Sequence, residues 1–253
     1  MIHHIKEGHV HVEHTQGTTS IEFFHPNSNA LPAALLHALT QEIHSAGMDN
    51  NTSVILLRSA GEGAFCAGAS LKELKGIQNE VQGKAFFSGF ANVINAMRKC
   101  PKLIIARVQG RSVGGGVGLI AAADYAIGLE KSDVKLSELS IGIGPFVVAP
   151  VIERKIGVSA FSQLAIDATM WRPADWARKR GLFAELHPDI ESMDESVNRL
   201  TNVLLHSGAE AMSALKKIIW EGTDNWDELL QERAAISGAL VVSPEAKAAL
   251  AKL

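Results

Sequence analysis

Residues 102–118 read KLIIARVQGRSVGGGVG, and this stretch decides the fold. Its first part, KLIIARV, is an apolar run with β-branched residues, which predicts a strand that is buried on both faces. Its second part holds five glycines in the ten residues 109–118, and an apolar segment that predicts a short helix follows. A buried strand that passes through a glycine loop into a helix is typical of sites where backbone N–H groups face a ligand.

The same order of strand, glycine loop and helix occurs earlier in the chain. SVILLR at 53–58 predicts a second buried strand, and GEGAFCAGA at 61–69 is the loop that follows it. Strands that alternate with helices predict a parallel sheet with right-handed crossovers. The other predicted elements of this part are strands at 9–14, 18–24 and 125–129, the first two joined at Gln16-Gly17, and helices at 31–46, ended by Gly47, and at 80–97.

From Ser159 onward the sequence pattern is mainly helical. Apolar and alanine-rich segments at helical spacing occur at 159–168, 173–181, 192–206, 209–220 and 226–239. We therefore expect an α/β core over residues 1–190 and a helical region over 191–253, with no long linker between them.

Composition excludes several classes of protein. The 253 residues are 47% hydrophobic and carry a net charge of −3, which excludes disorder and charge-driven binding of nucleic acid. No apolar run reaches the ~20 residues that span a bilayer, and no secretory leader is apparent. The two cysteines, Cys66 and Cys100, form neither a disulfide framework nor a metal-binding pattern. We expect a cytoplasmic protein with no metal and with neither nucleic acid nor membrane as a partner.

Two short motifs in the glycine loop indicate competing chemistries. GRSVG at 110–114 matches the nucleophile elbow of serine hydrolases, with Ser112 as the nucleophile, but no matching oxyanion loop lies upstream. GVGLIA at 116–121 matches a dinucleotide-binding fingerprint, and Glu138 lies 20 positions after Gly118. The helix predicted after this fingerprint is too short for a full crossover, which disfavours a dinucleotide site.

A third interpretation uses both glycine loops together. Each loop follows a buried parallel strand and opens a helix, where backbone N–H groups have no helical acceptor. The N–H groups of Ala67 and Gly115 could therefore converge on one oxygen and stabilise an oxyanion. The alternative is that these glycines only permit close packing of helix on strand.

Motifs along almost the whole chain resemble those of the crotonase family, the enoyl-CoA hydratases and isomerases. FCAGASLKEL at 65–74 is similar to the family's F-C-A-G-A-D-L-K-E-L, with Ser70 in place of the aspartate. The other matching motifs, in family order, are the glycine stretch at 101–118, Ala123-Asp124, ELSIGI with Pro145 at 138–145, RGL at 180–182 and SPEAK at 243–247. GGGVGL together with 136–150 most resembles the methylglutaconyl-CoA hydratase-like branch.

This resemblance implies a fold, an assembly and a ligand. The fold is α/β: a crotonase (ClpP-like) spiral of ββα units with a helical C-terminal region that forms a homotrimer or hexamer. The ligand is an acyl-CoA, with coenzyme A as part of the substrate and no separate cofactor. The sequence ends at Leu253, before the basic and aromatic extension of the family, so we expect a weaker adenine pocket.

The resemblance also implies roles for individual residues. Ala67 and Gly115 supply the two N–H groups of the oxyanion hole. Lys72 approaches the phosphates of coenzyme A. The other residues implied to bind the substrate are Asn29, Ala30, Leu31, Gly68, Ala69, Leu71, Gly114, Pro145 and Phe146.

One of the family's two catalytic glutamates is replaced. Hydratases of the family carry a first glutamate where this chain has Gly118, and a second where it has Glu138. An oxyanion hole and one glutamate imply hydration or isomerisation of an enoyl-CoA, and the alternative is a catalytically weak acyl-CoA binder or assembly subunit. We expect Phe146 and Val147 to raise the pKa of Glu138 toward neutrality, and Gly118→Glu to increase any hydration.

Overall fold

The computed structural model describes residues 1–5 and 7–253 of the chain. Within these residues the strands form one sheet in the order β1-β2-β3-β4-β5-β7-β9 and a second, two-stranded sheet, β6-β8. The strands are β1 (Ile2–Ile5), β2 (Gly8–Thr15), β3 (Thr18–Phe24), β4 (Val54–Ser59), β5 (Leu103–Val108), β6 (Ser112–Val113), β7 (Tyr125–Leu129), β8 (Val134–Lys135) and β9 (Glu185–His187).

Helices cover the sheet and form the C-terminal part of the chain. They are α1 (Ala33–Met48), α2 (Leu71–Gly76), α3 (Glu80–Lys99), α4 (Gly115–Ala122), α5 (Ala149–Ile166), α6 (Ala174–Lys179), α7 (Ile190–Leu205), α8 (Ala209–Ile219), α9 (Trp226–Leu240) and α10 (Pro244–Leu250), with a 3₁₀ turn at Glu138–Ile141. Among the described residues, none of these helices is long and apolar enough to cross a membrane.

The main sheet has the predicted arrangement. Strands β2 and β3 form an antiparallel hairpin, and β3, β4, β5, β7 and β9 run parallel. The register aligns Ile21, Leu57, Ala106 and Ala126 across four neighbouring strands, and all four side chains are buried. Burial of such a layer provides the main favourable free energy of the core. The predicted α/β class is therefore confirmed.

Both glycine loops lie at the carboxyl edge of the parallel sheet, because each follows the last residue of a parallel strand. Backbone hydrogen bonds join the loops to each other: the N–H of Phe65 donates to the carbonyl of Arg111 over 3.0 Å, and the N–H of Val113 donates to that of Cys66 over 2.9 Å. The position of one loop therefore fixes the position of the other.

Several elements differ from the prediction. Strands β1, β6, β8 and β9, helices α2 and α10 and the 3₁₀ turn were not predicted, and α5 begins at Ala149 rather than at residue 159. The end of α1 also differs. Gly47 was expected to end α1, but the helix continues to Met48. A Cβ at Gly47 would lie 3.1 Å from the Sγ of Cys100, so this glycine permits helix packing rather than helix termination. Helices α2 and α10 and the 3₁₀ turn are too short to show a helical period in the sequence.

The C-terminal helices are attached to the sheet by a buried carboxylate. Asp124 accepts hydrogen bonds from the Nζ of Lys216 (2.6 Å), from the Nε1 of Trp220 (3.0 Å) and from the N–H of Ile104 (2.7 Å). Because both Asp124 and Lys216 are almost fully buried, breaking this pair would leave an uncompensated charge in the interior. The division at residue 190 and the role of the last helices in oligomerisation stay predictions.

We predict that Gly238→Ala destabilises the protein. Helix α9 crosses α3 so closely that a Cβ at Gly238 would lie 2.3 Å from the backbone nitrogen of Lys84. An added methyl group must push the two helices apart, and overpacking of this kind costs about 1–3 kcal/mol. Urea unfolding measures the loss. The matched control is Gly76→Ala in α2, where nothing lies within 4 Å of the added Cβ. Equal stability of the two variants would contradict the prediction.

Candidate active site

A cavity of about 320 Å³ opens beside the two glycine loops. Most of its wall is apolar, and its polar side chains come from the segment 135–140 and from Ser237. The lining residues are Ala67, Gly68, Ala69, Leu71, Leu74, Phe87, Phe90, Val113, Gly114, Gly115, Lys135, Ser137, Glu138, Ser140, Ile141, Ile143, Gly144, Pro145, Phe146, Val147, Val148, Ser237 and Leu253. An apolar pocket with a few converging polar groups is the usual form of a small-molecule site.

Among the described residues of the two glycine loops that line the cavity, only Ala69 and Gly115 have a backbone N–H group without an acceptor. Gly115 is the first residue of α4, so its N–H has no partner within the helix. Ala69 forms a parallel bridge with Leu31, in which Gly68 supplies the carbonyl and Ser70 the N–H. The bridge therefore does not use the N–H of Ala69. One unpaired N–H from each loop is the arrangement expected of an oxyanion hole.

The assignment of Ala67 as an oxyanion donor is corrected by the structure. The N–H of Ala67 donates to the carbonyl of Ser28 over 3.0 Å, so it is not available to a ligand. The free donor of this loop is that of Ala69, two residues later. The sequence pattern placed Ala69 in the site but gave no indication of which N–H groups the loop itself consumes. The N–H of Gly115 is unpaired, and its role as an oxyanion donor stays a prediction.

Glu138 enters the cavity from the 3₁₀ turn and lies against the glycine loop. A Cβ at Gly114 would lie 2.6 Å from its Oε1, and Gly114 also has a φ of 53°. Glycine is required there, because any side chain would collide with the carboxylate and strain the backbone. The carbonyl of Glu138 accepts from the N–H of Ile143 over 3.0 Å, which holds the turn closed.

The environment of Glu138 changes its acidity. The residue is half-buried, but its Oε2 is fully buried and has no hydrogen-bond partner among the described residues. Burial raises the pKa of Glu138 from 4.5 to about 7, against the opposing effect of the backbone N–H groups of Glu138 and Ser137. A carboxyl group with a pKa near neutrality can both accept and return a proton, as proton-transfer catalysis requires.

Position 118 has no room for the family's first glutamate. A Cβ at Gly118 would lie 2.5 Å from the Cγ1 of Val148 and 3.0 Å from its Cβ. Val148 thus fills the space that a side chain at position 118 would enter. Among the described lining residues, Glu138 carries the only side-chain carboxylate.

The other predicted site residues divide into two groups. Gly68, Leu71, Gly114, Pro145 and Phe146 line the cavity together with Ala69. Asn29, Ala30, Leu31 and Lys72 do not line it.

Asn29 supports the first glycine loop from behind. Its Nδ2 donates to the carbonyls of Ala60 and Ala64 over 3.0 Å each, and its Oδ1 accepts from the N–H of His25 over 3.0 Å. The side chain of Asn29 thus stabilises the conformation of the loop by hydrogen bonds and does not line the cavity. The side chain of Lys72 is exposed, and its ammonium pairs with Glu7 over 3.0 Å. A contact of Lys72 with phosphate stays a prediction.

The two competing motifs do not form the sites that they suggested. Ser112 is fully buried in β6, and its Oγ has no partner among the described residues, whereas a hydrolase serine needs a histidine at hydrogen-bond distance. Helix α4 has eight residues and is buried from Gly116 onward, which leaves no open helix for a dinucleotide crossover.

Comparison with known proteins settles the family. The model of the enoyl-CoA hydratase/isomerase family matches residues 13–248. The chain belongs to this family. The resemblance to the crotonases that the motifs indicated is therefore confirmed, and it covers nearly the whole sequence.

Relatives within the family carry out different reactions. The chain is 28% identical over 200 residues to the mitochondrial methylglutaconyl-CoA hydratase of Mus musculus, covering 78% of this chain and 63% of the relative. It is 34% identical over 142 residues to 4-chlorobenzoyl coenzyme A dehalogenase-2 of an Arthrobacter species, covering 53% of this chain and 50% of the relative. The chain thus spans less than two thirds of these curated relatives. Their names leave the reaction of this family member open.

Solved structures show the same fold. The crystal structure of an enoyl-CoA hydratase from Bacillus halodurans superposes with a TM-score of 0.90 at 22% identity, covering 96% of this chain and 99% of the other. A structure of AtuE from Pseudomonas aeruginosa gives a TM-score of 0.80 at 26% identity, covering 85% and 84%. These similarities confirm the crotonase fold.

We predict that Glu138→Gln stabilises the folded protein at about pH 8 but not at about pH 4. Folding raises the pKa of Glu138 from 4.5 to about 7. Below pH 4.5 the carboxyl group is protonated in both the folded and the unfolded protein, and its contribution to stability is fully present. As the pH rises through 7, the unfolded chain is already ionised and this contribution to the free energy of unfolding is lost. The rise corresponds to roughly 3 kcal/mol of folding free energy. Glutamine carries no charge to desolvate and escapes this loss.

Urea unfolding at the two pH values measures the effect. The matched control is Glu62→Gln, at an exposed position of the first glycine loop. We expect the control to follow the wild type at both pH values. If Glu138→Gln changed stability equally at both, the carboxylate would not be a desolvated charge.

Proposed function

We propose that the protein is an acyl-CoA enzyme that shifts the double bond of an enoyl thioester from the 3- to the 2-position without a separate cofactor. The observation that carries this proposal is the single carboxylate, Glu138, in a cavity that also presents the unpaired N–H groups of Ala69 and Gly115. Membership of the enoyl-CoA hydratase/isomerase family supports a thioester substrate.

The two N–H groups act on the thioester oxygen. When a proton leaves the α-carbon, negative charge moves to this oxygen, and donors already oriented toward it stabilise the enolate. The N–H of Gly115 also lies at the positive end of α4, which adds a favourable electrostatic contribution. Both donors belong to loops held by backbone hydrogen bonds, so little reorganisation is needed during the reaction.

Glu138 moves the proton. Its carboxylate takes a proton from C2 of the 3-enoyl thioester. The electron pair of the C2–H bond forms a C1–C2 double bond while the carbonyl π electrons move to the thioester oxygen, which gives a dienolate. As the carbonyl re-forms, the C1–C2 pair becomes the C2–C3 double bond, and the C3–C4 pair is released to bond a proton at C4. The same carboxyl group then returns the proton to C4. A pKa of about 7 suits both steps at neutral pH, and one group is sufficient because the proton is borrowed and returned.

Hydration of an enoyl-CoA is the second candidate, favoured by the similarity to methylglutaconyl-CoA hydratase. Hydration needs a water molecule that is held and activated together with a proton donor for the α-carbon. Glu138 would have to perform both tasks, because Val148 occupies the space beside Gly118. Assembly into a homotrimer or hexamer and a cytoplasmic location stay predictions.

We predict that Glu138→Gln lowers isomerisation of 3-hexenoyl-CoA by at least about a hundredfold, the usual contribution of a general base. In the wild type, kcat/KM should rise as the pH increases through about 7 and then level off, because the free carboxylate is the active form. Absorbance of the conjugated thioester follows the reaction. An unchanged rate in the variant would show that Glu138 takes no part in the mechanism. If the wild type bound 3-hexenoyl-CoA but did not convert it, the alternative of an acyl-CoA binder or assembly subunit would be favoured.

We also predict that Gly118→Glu alone does not create a hydratase. The new side chain collides with Val148, so the single variant should lose stability and gain no hydration of crotonyl-CoA. The double variant Gly118→Glu with Val148→Gly removes both contacting carbon atoms and should gain hydration. Val148→Gly alone is the control. Faster hydration by the folded single variant would show that Val148 is not the obstacle.

A further inference from the structure

Helix α9 presents a buried hydroxyl group to the cavity. The buried residues of this helix form one face and are Trp226, Leu230, Ala234, Ser237 and Gly238. Ser237 carries the only hydroxyl group of this face. It is 1% exposed, and it lines the cavity. A polar group thus occupies a position at which the helical repeat of α9 places residues of the core.

The hydroxyl group of Ser237 has no partner within the protein as far as the structure describes it. A hydroxyl residue inside a helix often donates to the carbonyl group four residues earlier, as Thr40 does to Leu36 over 2.9 Å. The Oγ of Ser237 makes neither this bond nor any other with the described residues. It is also absent from the fully enclosed atoms without a partner, so its remaining exposure is to the cavity. A ligand group that bonded to it would remove the cost of burying it unpaired.

The packing of α9 on α3 determines where this hydroxyl group lies. A Cβ at Gly238, the next residue, would lie 2.3 Å from the backbone nitrogen of Lys84 in α3. Further along α3, the ring of Phe90 lies so close to Gly115 that a Cβ there would be 2.1 Å away. Lys84 and Phe90 are separated by about 9 Å along the helix axis, at 1.5 Å per residue. Ser237 is therefore remote from the oxyanion donor at the start of α4.

The acyl group is the part of the substrate that reaches Ser237. Coenzyme A is too large for a cavity of about 320 Å³ and extends through its open end, whereas Ser237 belongs to a buried wall. An extended hydrocarbon chain advances roughly 1.25 Å per carbon atom, because its C–C bonds of about 1.5 Å are inclined to the chain axis. A thioester held at Gly115 would therefore bring about the seventh or eighth carbon of its acyl chain to Ser237.

The surroundings of Ser237 favour an uncharged group. The charged side chains among the described lining residues are those of Lys135 and Glu138, and both residues lie beside Gly114 at the start of α4. Along α3 toward Ser237, the cavity wall is formed by Phe90 and Phe87. A carboxylate at Ser237 would be desolvated beside these rings, whereas a hydroxyl or carbonyl oxygen needs only the hydrogen bond that serine supplies.

We propose that Ser237 selects an acyl-CoA whose acyl group carries an uncharged oxygen, as a hydroxyl or carbonyl group, near its far end. This inference rests on the proposed function, because that function places the thioester oxygen between Ala69 and Gly115. A serine hydroxyl donates to a carbonyl group and both donates to and accepts from a hydroxyl group, so it fits either form. Ser237 determines specificity and takes no part in the proton transfer by Glu138.

The first experiment measures binding and does not depend on turnover. Calorimetry compares octanoyl-CoA with its 7-hydroxy and 8-hydroxy derivatives. The wild type should bind at least one hydroxy ester more tightly than octanoyl-CoA. Ser237→Ala should weaken binding of that ester by about threefold to tenfold, the effect of losing one hydrogen bond. The same variant should bind octanoyl-CoA at least as tightly as the wild type, because alanine leaves no hydroxyl group unpaired.

Two further variants control for folding and for position. Ser237→Cys keeps the size of the side chain but is a poor hydrogen-bonding partner, so it should also lose the preference. Ser45→Ala removes a hydroxyl group from an exposed position of α1 that likewise has no partner among the described residues, and it should leave all affinities unchanged. Urea unfolding of each variant verifies that it is folded.

Three binding results would overturn the proposal. One is tighter binding of octanoyl-CoA than of both hydroxy esters by the wild type. Another is an equal loss for all three esters in Ser237→Ala, which would show that the serine contributes packing alone. The third concerns charge: if suberoyl-CoA, which ends in a carboxylate, bound more tightly than the 8-hydroxy ester and depended on Ser237, the selected group would be an acid.

The second experiment compares kcat/KM for 3-octenoyl-CoA and its 8-hydroxy derivative. The wild type should prefer the hydroxy ester, and Ser237→Ala should remove the preference through KM with kcat unchanged. Equal losses of kcat for both esters would assign Ser237 to the chemical step and refute selection. If a hydroxy ester binds with the expected dependence on Ser237 but neither ester is isomerised, the proposed function fails and the Ser237 site stands. Isomerisation of both esters with equal kcat/KM would refute the Ser237 site and leave the proposed function standing.

Discussion

The structure depends on three consecutive glycines that have no room for a side chain. A Cβ at Gly114 would meet the carboxylate of Glu138 at 2.6 Å, one at Gly115 would meet the ring of Phe90 at 2.1 Å, and one at Gly116 would meet the Cβ of Cys66 at 2.7 Å. Because it has no side chain, each glycine allows a different residue to pack directly against the backbone. Together they bring the acid, the aromatic wall and the first glycine loop up to the start of α4.

This close approach creates the functional groups of the site. Because Gly115 begins α4, its N–H is unpaired, and because Phe90 lies against it, the donor is in an apolar wall. Hydrogen bonds formed in such a wall are stronger than those formed in water. The same packing desolvates Glu138 and raises its pKa to about 7. The oxyanion donor and the base thus arise from one packing arrangement.

Two buried carboxylates of the chain show how the fold separates structural from reactive acids. Asp124 receives three hydrogen bonds, one of them from the buried ammonium of Lys216, and serves to attach α8 and the following turn to the sheet. Glu138 leaves its Oε2 without a donor among the described residues. Asp124 is thus bound into the framework by its donors, whereas Glu138, desolvated and with an oxygen that lacks a donor, has a pKa of about 7 and can exchange its proton near neutral pH.

Much of this arrangement could be predicted from the sequence. The apolar runs at β4, β5 and β7 predicted the parallel sheet, and the glycines after β4 and β5 predicted the edge at which the site lies. The choice between Ala67 and Ala69 could not be predicted, because it depends on which N–H groups pair with the segment of Ser28 and Leu31. The obstacle at position 118 was also hidden, since Val148 is thirty residues away in the sequence. Patterns of residue types report burial and turns, but not the directions of individual N–H groups or distant contacts.

The most direct test of the account follows hydrogen at the α-carbon. The protein is incubated with 3-hexenoyl-CoA in D₂O, and NMR measures deuterium at the α- and γ-carbons in the wild type and in Glu138→Gln. The account predicts that the wild type incorporates deuterium at these carbons, because Ala69 and Gly115 stabilise the enolate and the proton held by Glu138 exchanges with D₂O in a fraction of the turnovers, and that the variant does not. Exchange at the same rate in both proteins would contradict it.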